Sequence, residues 1–280
     1  MKASLRTIFL SFLAVIVMGL GTYSRAEYPA TATPAPAGTA TPAPVEATPP
    51  AGMKLVPADL TADLNVSFYS QYIWRGYQLS KDSLVIFPQL TVGYKGFAVT
   101  TWVDLDTRYR NDPSKKFTLQ ETDVIASYSN SIAPLKLNYT MGWILYDFQP
   151  KKNQELFVTL GLDTILKPTF SIYNEIEIGQ AWYFQLGVAH SFAVYKDWSL
   201  DLAGSVSYLH DKTDIKFGNF HDGNISAGVK IPLNNYLSIK PNIQWSFPLS
   251  ADACRQIKAS GLDGHQNTFV YGGIILDLAI

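Results

Sequence analysis

One feature organises the chain from Ala62 onward: apolar residues alternate with polar ones over stretches longer than ordinary strands. Between Asp63 and Arg75, one parity holds Leu64, Val66, Phe68, Tyr72 and Trp74. The other holds Asp63, Asn65, Ser67, Tyr69, Gln71 and Arg75, with Ile73 as the exception to the pattern. Successive side chains of a strand point to opposite faces, so this stretch has one apolar and one wet face. Leu84–Tyr94 and Phe97–Asp106 repeat the pattern across a tight turn, Tyr94-Lys95-Gly96-Phe97, where Gly96 is free to take positive φ. Soluble strands usually run to about five or six residues. Tilted strands of about nine to eleven residues are what a bilayer requires.

The pattern continues to the end of the chain. Phe117–Ser129, Leu135–Tyr146, Glu155–Ile165, Thr169–Ile178, Ala181–Val194, Trp198–Leu209, Gly223–Ile231, Leu237–Phe247 and Thr268–Ile280 read as further strands. Residues 59–280 are therefore expected to be all-β, a transmembrane antiparallel up-and-down barrel of about twelve strands. The connections alternate in length. Short turns such as Asn130–Pro134 and Leu233–Tyr236 alternate with longer loops: Gly76–Ser83, Arg108–Lys116, Asp147–Gln154, His210–Asp222 and Pro248–Asn267. Short periplasmic turns and longer outer loops are the asymmetry of outer-membrane barrels. Gly179-Gln180 is a short connection on the long-loop side.

Aromatic placement agrees with a wall in lipid. Trp74, Trp143, Trp182 and Trp245 fall on the apolar parity near the long-loop ends, and Trp198 near a short-turn end. Amphipathic rings favour the headgroup level, so these five are expected to form membrane-interface belts. Charged residues make up 16% of the chain, below the roughly 25% of soluble domains.

Two segments precede the barrel. Residues 1–26 have the form of a cleaved export signal: Lys2 and Arg6, an apolar run Thr7–Leu20, then Ser24-Arg25-Ala26. The run is too short to span as a helix. Residues 27–58 are rich in Pro, Ala and Thr and repeat Thr-Ala-Thr-Pro-Ala-Pro, which reads as a disordered, extended spacer. The expected location is the outer membrane of a Gram-negative cell.

Ser70-Gln71-Tyr72-Ile73-Trp74-Arg75-Gly76, followed by Ser80, Pro88 and Glu121-Thr122-Asp123, resembles the TorF-type porin family from about Ala62 to the C-terminus. The resemblance implies an outer-membrane barrel with a transport role. It supplies no substrate or site residues.

Chemistry is therefore sought on the wet parity. Arg75, Asp104, Asp106, Glu121, Asp123, Glu155, Glu175 and Glu177 are expected to line the outer half of the lumen. Asp104 and Asp106 should neighbour Glu121 and Asp123 across one hairpin. Confined carboxylates attract cations, so mild cation preference is one expectation, and a salt-bridged lining is the other. Tyr69, Trp102 and Tyr183 point inward and are expected to narrow the lumen. Basic loop residues such as Lys115, Lys116, Lys151 and Lys152 are expected to meet lipopolysaccharide phosphates.

Other classes find little support. His190 and Ser191 are adjacent and so face opposite sides, which does not suit a Ser–His hydrolase. Glu175 and Glu177 share a parity, yet such pairs are commoner as pore lining than as glycosidase acids. Cys254 stands alone, no Cys/His set has metal-ligand spacing, and no basic stripe suits nucleic acid. No cofactor, metal or catalytic residue is expected. The expected partners are small solutes, outer-membrane lipid and lipopolysaccharide, and the assembly machinery that recognises a C-terminal strand. Such strands commonly end in Phe; Ile280 departs from that. The reading is a passive channel for small solutes, with a structural or binding barrel, its lumen filled by side chains, as the alternative.

Overall fold

The computed structural model describes residues 59–108, 116–148, 151–177, 179–212, 215–262 and 264–279. The expected signal and spacer lie outside them. β1 (Leu60–Tyr69) is followed by a short hairpin, β2 (Ile73–Trp74) and β3 (Tyr77–Gln78). Then come β4 (Val85–Tyr94), β5 (Phe97–Asp106), β6 (Thr118–Ile132), β7 (Leu137–Phe148) and β8 (Lys151–Leu162). β9 (Thr169–Glu175), β10 (Trp182–Tyr195), β11 (Trp198–Asp211), β12 (Phe217–Pro232) and β13 (Leu237–Pro248) follow. A helix, α1 (Ala251–Ser260), precedes the last strand, β14 (Phe269–Ala279). The twelve long strands form one closed antiparallel barrel, with β1 hydrogen-bonded to both β4 and β14.

Closure leaves no unpaired edge, the condition for strands to cross a bilayer. The alternation becomes a two-faced wall. Val99, Leu186, Val188, Ile243 and Val270 on the outer parity are all exposed, whereas the lumen parity carries Asp, Glu, Ser, Thr, Asn and Gln. Turn chemistry sets the register at the short-turn end. Lys95 and Gly96 both take positive φ (50° and 87°), the combination a two-residue I′ hairpin needs. A Cβ on Gly96 would lie 2.6 Å from the Ser129 carbonyl oxygen, so no side chain fits there.

Three expectations about boundaries are corrected. The first strand does not run on to Arg75: it ends at Tyr69, and the next fourteen residues turn into the barrel as the β2–β3 hairpin and its flanks. The expected long loop Asp147–Gln154 is mostly strand, because β7 and β8 stay paired out to Phe148↔Lys151. Lys152 is therefore a strand residue, ion-paired with Asp147 at 3.2 Å. The loop expected at His210–Asp222 shrinks likewise, with β11 and β12 paired from Asp211↔Phe217 onward.

The two halves of the lumen differ. At the long-loop end a cluster of buried residues fills it, from Tyr72, Trp74 and Tyr77 of the hairpin segment to Ala253 and Ile257 of α1. Toward the short turns most lumen-facing hydroxyls and amides, such as Thr91, Thr100 and Asn242, are only half-buried.

Candidate functional site

The hairpin in the outer lumen is braced by its own backbone. Leu79 N–H donates to the Tyr72 carbonyl at 2.8 Å, and Tyr72 N–H donates to Ser80 Oγ at 2.7 Å. Arg75 (φ 44°) and Gly76 (φ 82°) form its tip. Gly76 is required twice over. Its φ suits glycine, and a Cβ there would lie 2.9 Å from both Asp222 Cβ and Ile257 Cδ1. The tip is thus wedged between the barrel wall and α1.

Arg75 fastens the tip to the opposite wall. Its two terminal nitrogens donate to the two oxygens of Glu155, each at 2.8 Å. The guanidinium lies 4.6, 4.8 and 4.2 Å from the ring centroids of Trp74, Tyr173 and Tyr183. Burial by itself would lower the pKa of Arg75, but the charge and hydrogen bonds of Glu155 outweigh it and raise the pKa above its ordinary range. Glu155 also accepts from Tyr146 Oη at 2.8 Å. A planar two-pronged donor on a carboxylate, shielded from water, is among the stronger polar contacts a protein makes.

The other anchors are aromatic. The Tyr72 ring packs on Phe87 (5.0 Å) and Trp102 (5.7 Å), and its hydroxyl donates to Glu121 at 3.4 Å. Burial, reinforced by Glu121 and Asp123, pushes the Tyr72 phenol well above its usual range and keeps it a donor. Above the hairpin, α1 begins at the N-cap Ser250, whose Oγ accepts from Ala253 N–H at 3.1 Å and donates to the Phe220 carbonyl at 2.7 Å. Its buried face, Ala253 and Ile257, turns down onto the hairpin. Gln256 reaches His221 Nε2 at 3.1 Å, and His221 Nδ1 meets Asp222 at 3.0 Å. Asp222 accepts further from Tyr183 Oη (3.1 Å) and Ser207 Oγ (2.6 Å).

The carboxylates expected in the outer lumen occupy different places. Asp104, Glu121, Asp123, Glu155 and Glu175 face inward and are buried. Asp104 pairs across the sheet with Glu121, and Trp102 with Asp123. Among the described residues, neither oxygen of Asp123 meets a donor in hydrogen-bonding geometry, nor does Oε1 of Glu121 or of Glu175. Asp106 sits at the rim, bonded by the Ser83 hydroxyl and, at 2.9 Å, by the Arg108 backbone N–H. Glu177 is a correction. β9 ends at Glu175, and Glu177 is exposed, accepting at 3.0 Å from Gln154 on the outward parity. It does not line the lumen. Among the described residues no three His, Cys, Asp or Glu are placed to hold a metal ion.

Tyr69, Trp102 and Tyr183 all face inward, Trp102 and Tyr183 buried against the hairpin segment and Tyr69 half-buried beneath it. On the outer wall stand Trp143, Trp182, Trp198 and Trp245. Trp74 is a second correction. At 4% exposure it is inside the lumen rather than in a membrane belt, because the chain has left the wall five residues earlier. Asp222, His221, Ser207 and α1 were not singled out from the sequence as parts of the lumen.

The model of a family described as "Bacterial protein of unknown function (Gcw_chp)" matches residues 56–262. The chain belongs to the Gcw_chp family. No curated protein matches its sequence. Among solved structures, this Gcw_chp chain is similar to the NanC porin with a TM-score of 0.50 at 10% identity, covering 78% of this chain and 98% of that one. The KdgM porin gives a TM-score of 0.46 at 10% identity, with the same coverage. OprB of Pseudomonas putida gives 0.35 at 12%, covering 73% of this chain and 61% of that one. At such identities the likeness is one of fold, and the NanC comparison carries it. The Gcw_chp barrel has the fold of an outer-membrane porin, with its outer lumen occupied by its own first loop.

Proposed function

We propose that this Gcw_chp protein is a porin-like outer-membrane channel for small solutes, closed in this conformation by the β2–β3 hairpin. The observation that carries the reading is the nature of the obstruction. The wall is a complete barrel without it, since β1 pairs directly with β4. The blocking element is a loop held by side-chain contacts, chiefly Arg75 on Glu155. Toward the short turns most lumen-facing side chains are half-buried rather than packed. Displacing the loop joins that space to the outside without breaking any barrel strand.

A mild cation preference belongs to the same proposal. With Arg75 drawn away, Asp104, Glu121, Asp123, Glu155 and Glu175 would line the path, and confined carboxylates raise the local cation concentration. The resemblance to the TorF-type porins supports the transport reading. Outer-membrane lipid and lipopolysaccharide are the proposed surroundings of the wall and rim.

A filled, non-conducting barrel is the second reading, favoured by the tight packing of Tyr72, Trp74 and Ile257. A hydrolase is not supported by the buried polar network. Ser207 and His221 both bond to Asp222, and the other His221 nitrogen is taken by Gln256. Among the described residues of this network no Ser–His hydrogen bond activates a nucleophile. Liposome swelling separates the two main readings. Vesicles carrying the wild type should admit small neutral solutes slowly, and Glu155→Gln, which loosens the hairpin, should admit them faster. Identical, negligible swelling for both folded proteins would favour the filled barrel.

A further inference from the structure

The inner half of the lumen differs in chemistry from the acid-lined outer half. Its walls are mostly hydroxyls and amides, and Thr91, Thr100, Gln185, Asn242 and Gln244 among them are half-buried. Thr91 and Thr100 pair across β4 and β5 at 2.8 Å, and Thr159 and Ser171 across β8 and β9 at 2.9 Å. In each pair either oxygen can be the donor. The mutual bond of Thr91 and Thr100 leaves a second O–H and spare lone pairs facing the lumen, whereas Thr159 and Ser171 also bond the Tyr173 hydroxyl.

Charge is nearly balanced. Lys240 pairs with Asp201 at 2.8 Å. The remaining ionisable lumen residues on the strands there, Asp63, Asp277 and Lys230, lie near the mouth.

The blind end of this space is aromatic. Phe157 is the next lumen-facing residue inward from Glu155 on β8, and Thr159 the next after it. Phe157 stacks on Tyr173 with centroids 5.8 Å apart. On the other side Tyr69 and Tyr271 lie 6.2 Å apart. Gln244 ties them together: its Nε2 donates to Tyr69 Oη at 3.2 Å, and its Oε1 accepts from Tyr271 Oη at 3.0 Å. Phe157, Tyr173 and Tyr69 are only partly buried. They offer ring surface to whatever fills the space.

We propose that this inner vestibule binds an uncharged, polyhydroxylated solute of the carbohydrate class. A sugar ring presents hydroxyls that donate and accept, matching walls of Ser, Thr, Asn and Gln. It also presents C–H faces, which bury favourably against aromatic rings. A solute with several charges would find no free set of opposite charges here and would lose hydration without return. The proposal deepens the channel reading and rests on it for its biological sense, but not for its test. The vestibule lies on the short-turn side of the docked hairpin, so binding there does not require the hairpin to move.

The test is isothermal titration of the purified full-length protein with maltotriose and with trigalacturonate, which has as many rings and three carboxylates. Maltotriose should bind saturably and trigalacturonate more weakly. Gln244→Leu unties Tyr69 and Tyr271 at the aromatic end, and should weaken maltotriose binding about fivefold to tenfold, the equivalent of one or two net hydrogen bonds. Thr91→Val with Thr100→Val, which keeps shape and removes two hydroxyls, should act in the same direction and serves if Gln244→Leu does not fold. Val188→Ser on the outer wall should bind as wild type. No saturable binding, tighter binding of trigalacturonate, or unaltered affinity in the lumen variants would overturn the assignment. A protein that conducts but binds no maltotriose refutes this inference and spares the channel. One that binds maltotriose but never conducts does the reverse.

Discussion

Replacing Arg75 with Ala removes the main polar fastening of the hairpin and leaves Glu155 buried, with the Tyr146 hydroxyl as its remaining donor among the described residues. The side chains of Arg75 and Glu155 are 8% and 3% exposed, so solvent screens the pair little. Deleting one partner of a buried ion pair costs about 3–5 kcal/mol, because the other charge is stranded. Loss of the three ring contacts adds to that. The cost falls on the docked state alone, since Glu155 is hydrated once the hairpin leaves. At about 1.4 kcal/mol per decade, the docked-to-displaced ratio should fall by about two to four orders of magnitude. Single-channel recording in planar bilayers reads this as a rise in open probability. Glu155→Gln should act in the same direction, and the double variant should fall short of the sum, as expected of residues in direct contact. A folded Arg75→Ala protein with the wild-type open probability would refute the latch.

Three other outcomes follow from the same geometry. Val188→Arg on the outer wall near the middle of β10 should cost about 2–4 kcal/mol of stability in lipid, whereas Ala189→Arg, aimed into the wet vestibule, should fold almost normally; equal damage in denaturant unfolding would contradict the register. Gly76→Ala forces a Cβ toward Asp222 and Ile257 at a positive φ, which should cost the docked hairpin about 1–2 kcal/mol, seen as faster hydrogen exchange at residues 72–80; unchanged exchange would show that the tip is not wedged. Replacing Asp104, Glu121 and Asp123 by Asn, Gln and Asn should move the reversal potential in a KCl gradient toward the nonselective value, with the difference fading near 1 M salt, where the Debye length is about 3 Å; anion preference in the wild type would defeat the electrostatic part of the proposal.

The barrel was legible because its signal is local and repeated. Each strand carries period-two alternation, and a wall in lipid favours apolar residues at most outward positions, such as Val99, Val188 and Ile274. The hairpin was not legible for the opposite reason. Its local pattern continues that of β1 through Tyr72 and Trp74, so nothing within those residues says that the chain leaves the wall. What draws it inward is Arg75 meeting Glu155, eighty positions away in sequence, and a gap between Asp222 and Ile257 that suits only glycine. Trp74 was misplaced by that continuation. Glu177 was misplaced because β9 stops two residues short of it. α1 left a readable trace: Ser250 as N-cap, Asp252 in the first turn, Lys258 in the last, and Ala253 and Ile257 one turn apart. Its brevity, inside a loop of a chain otherwise all-β, kept it from standing out.

Whether the first loop is the closed gate of an otherwise open barrel is tested most directly by removing it. A chain in which residues 72–83 are replaced by a short Gly-Ser linker keeps every barrel strand, because β1 and β4 pair without the hairpin. In a planar bilayer this variant should carry a steady, long-lived current, mildly cation-selective, where the wild type stays shut apart from brief openings. A hairpin-less variant that folds as a barrel and passes no current would contradict the account and assign the protein to the filled, non-conducting barrels.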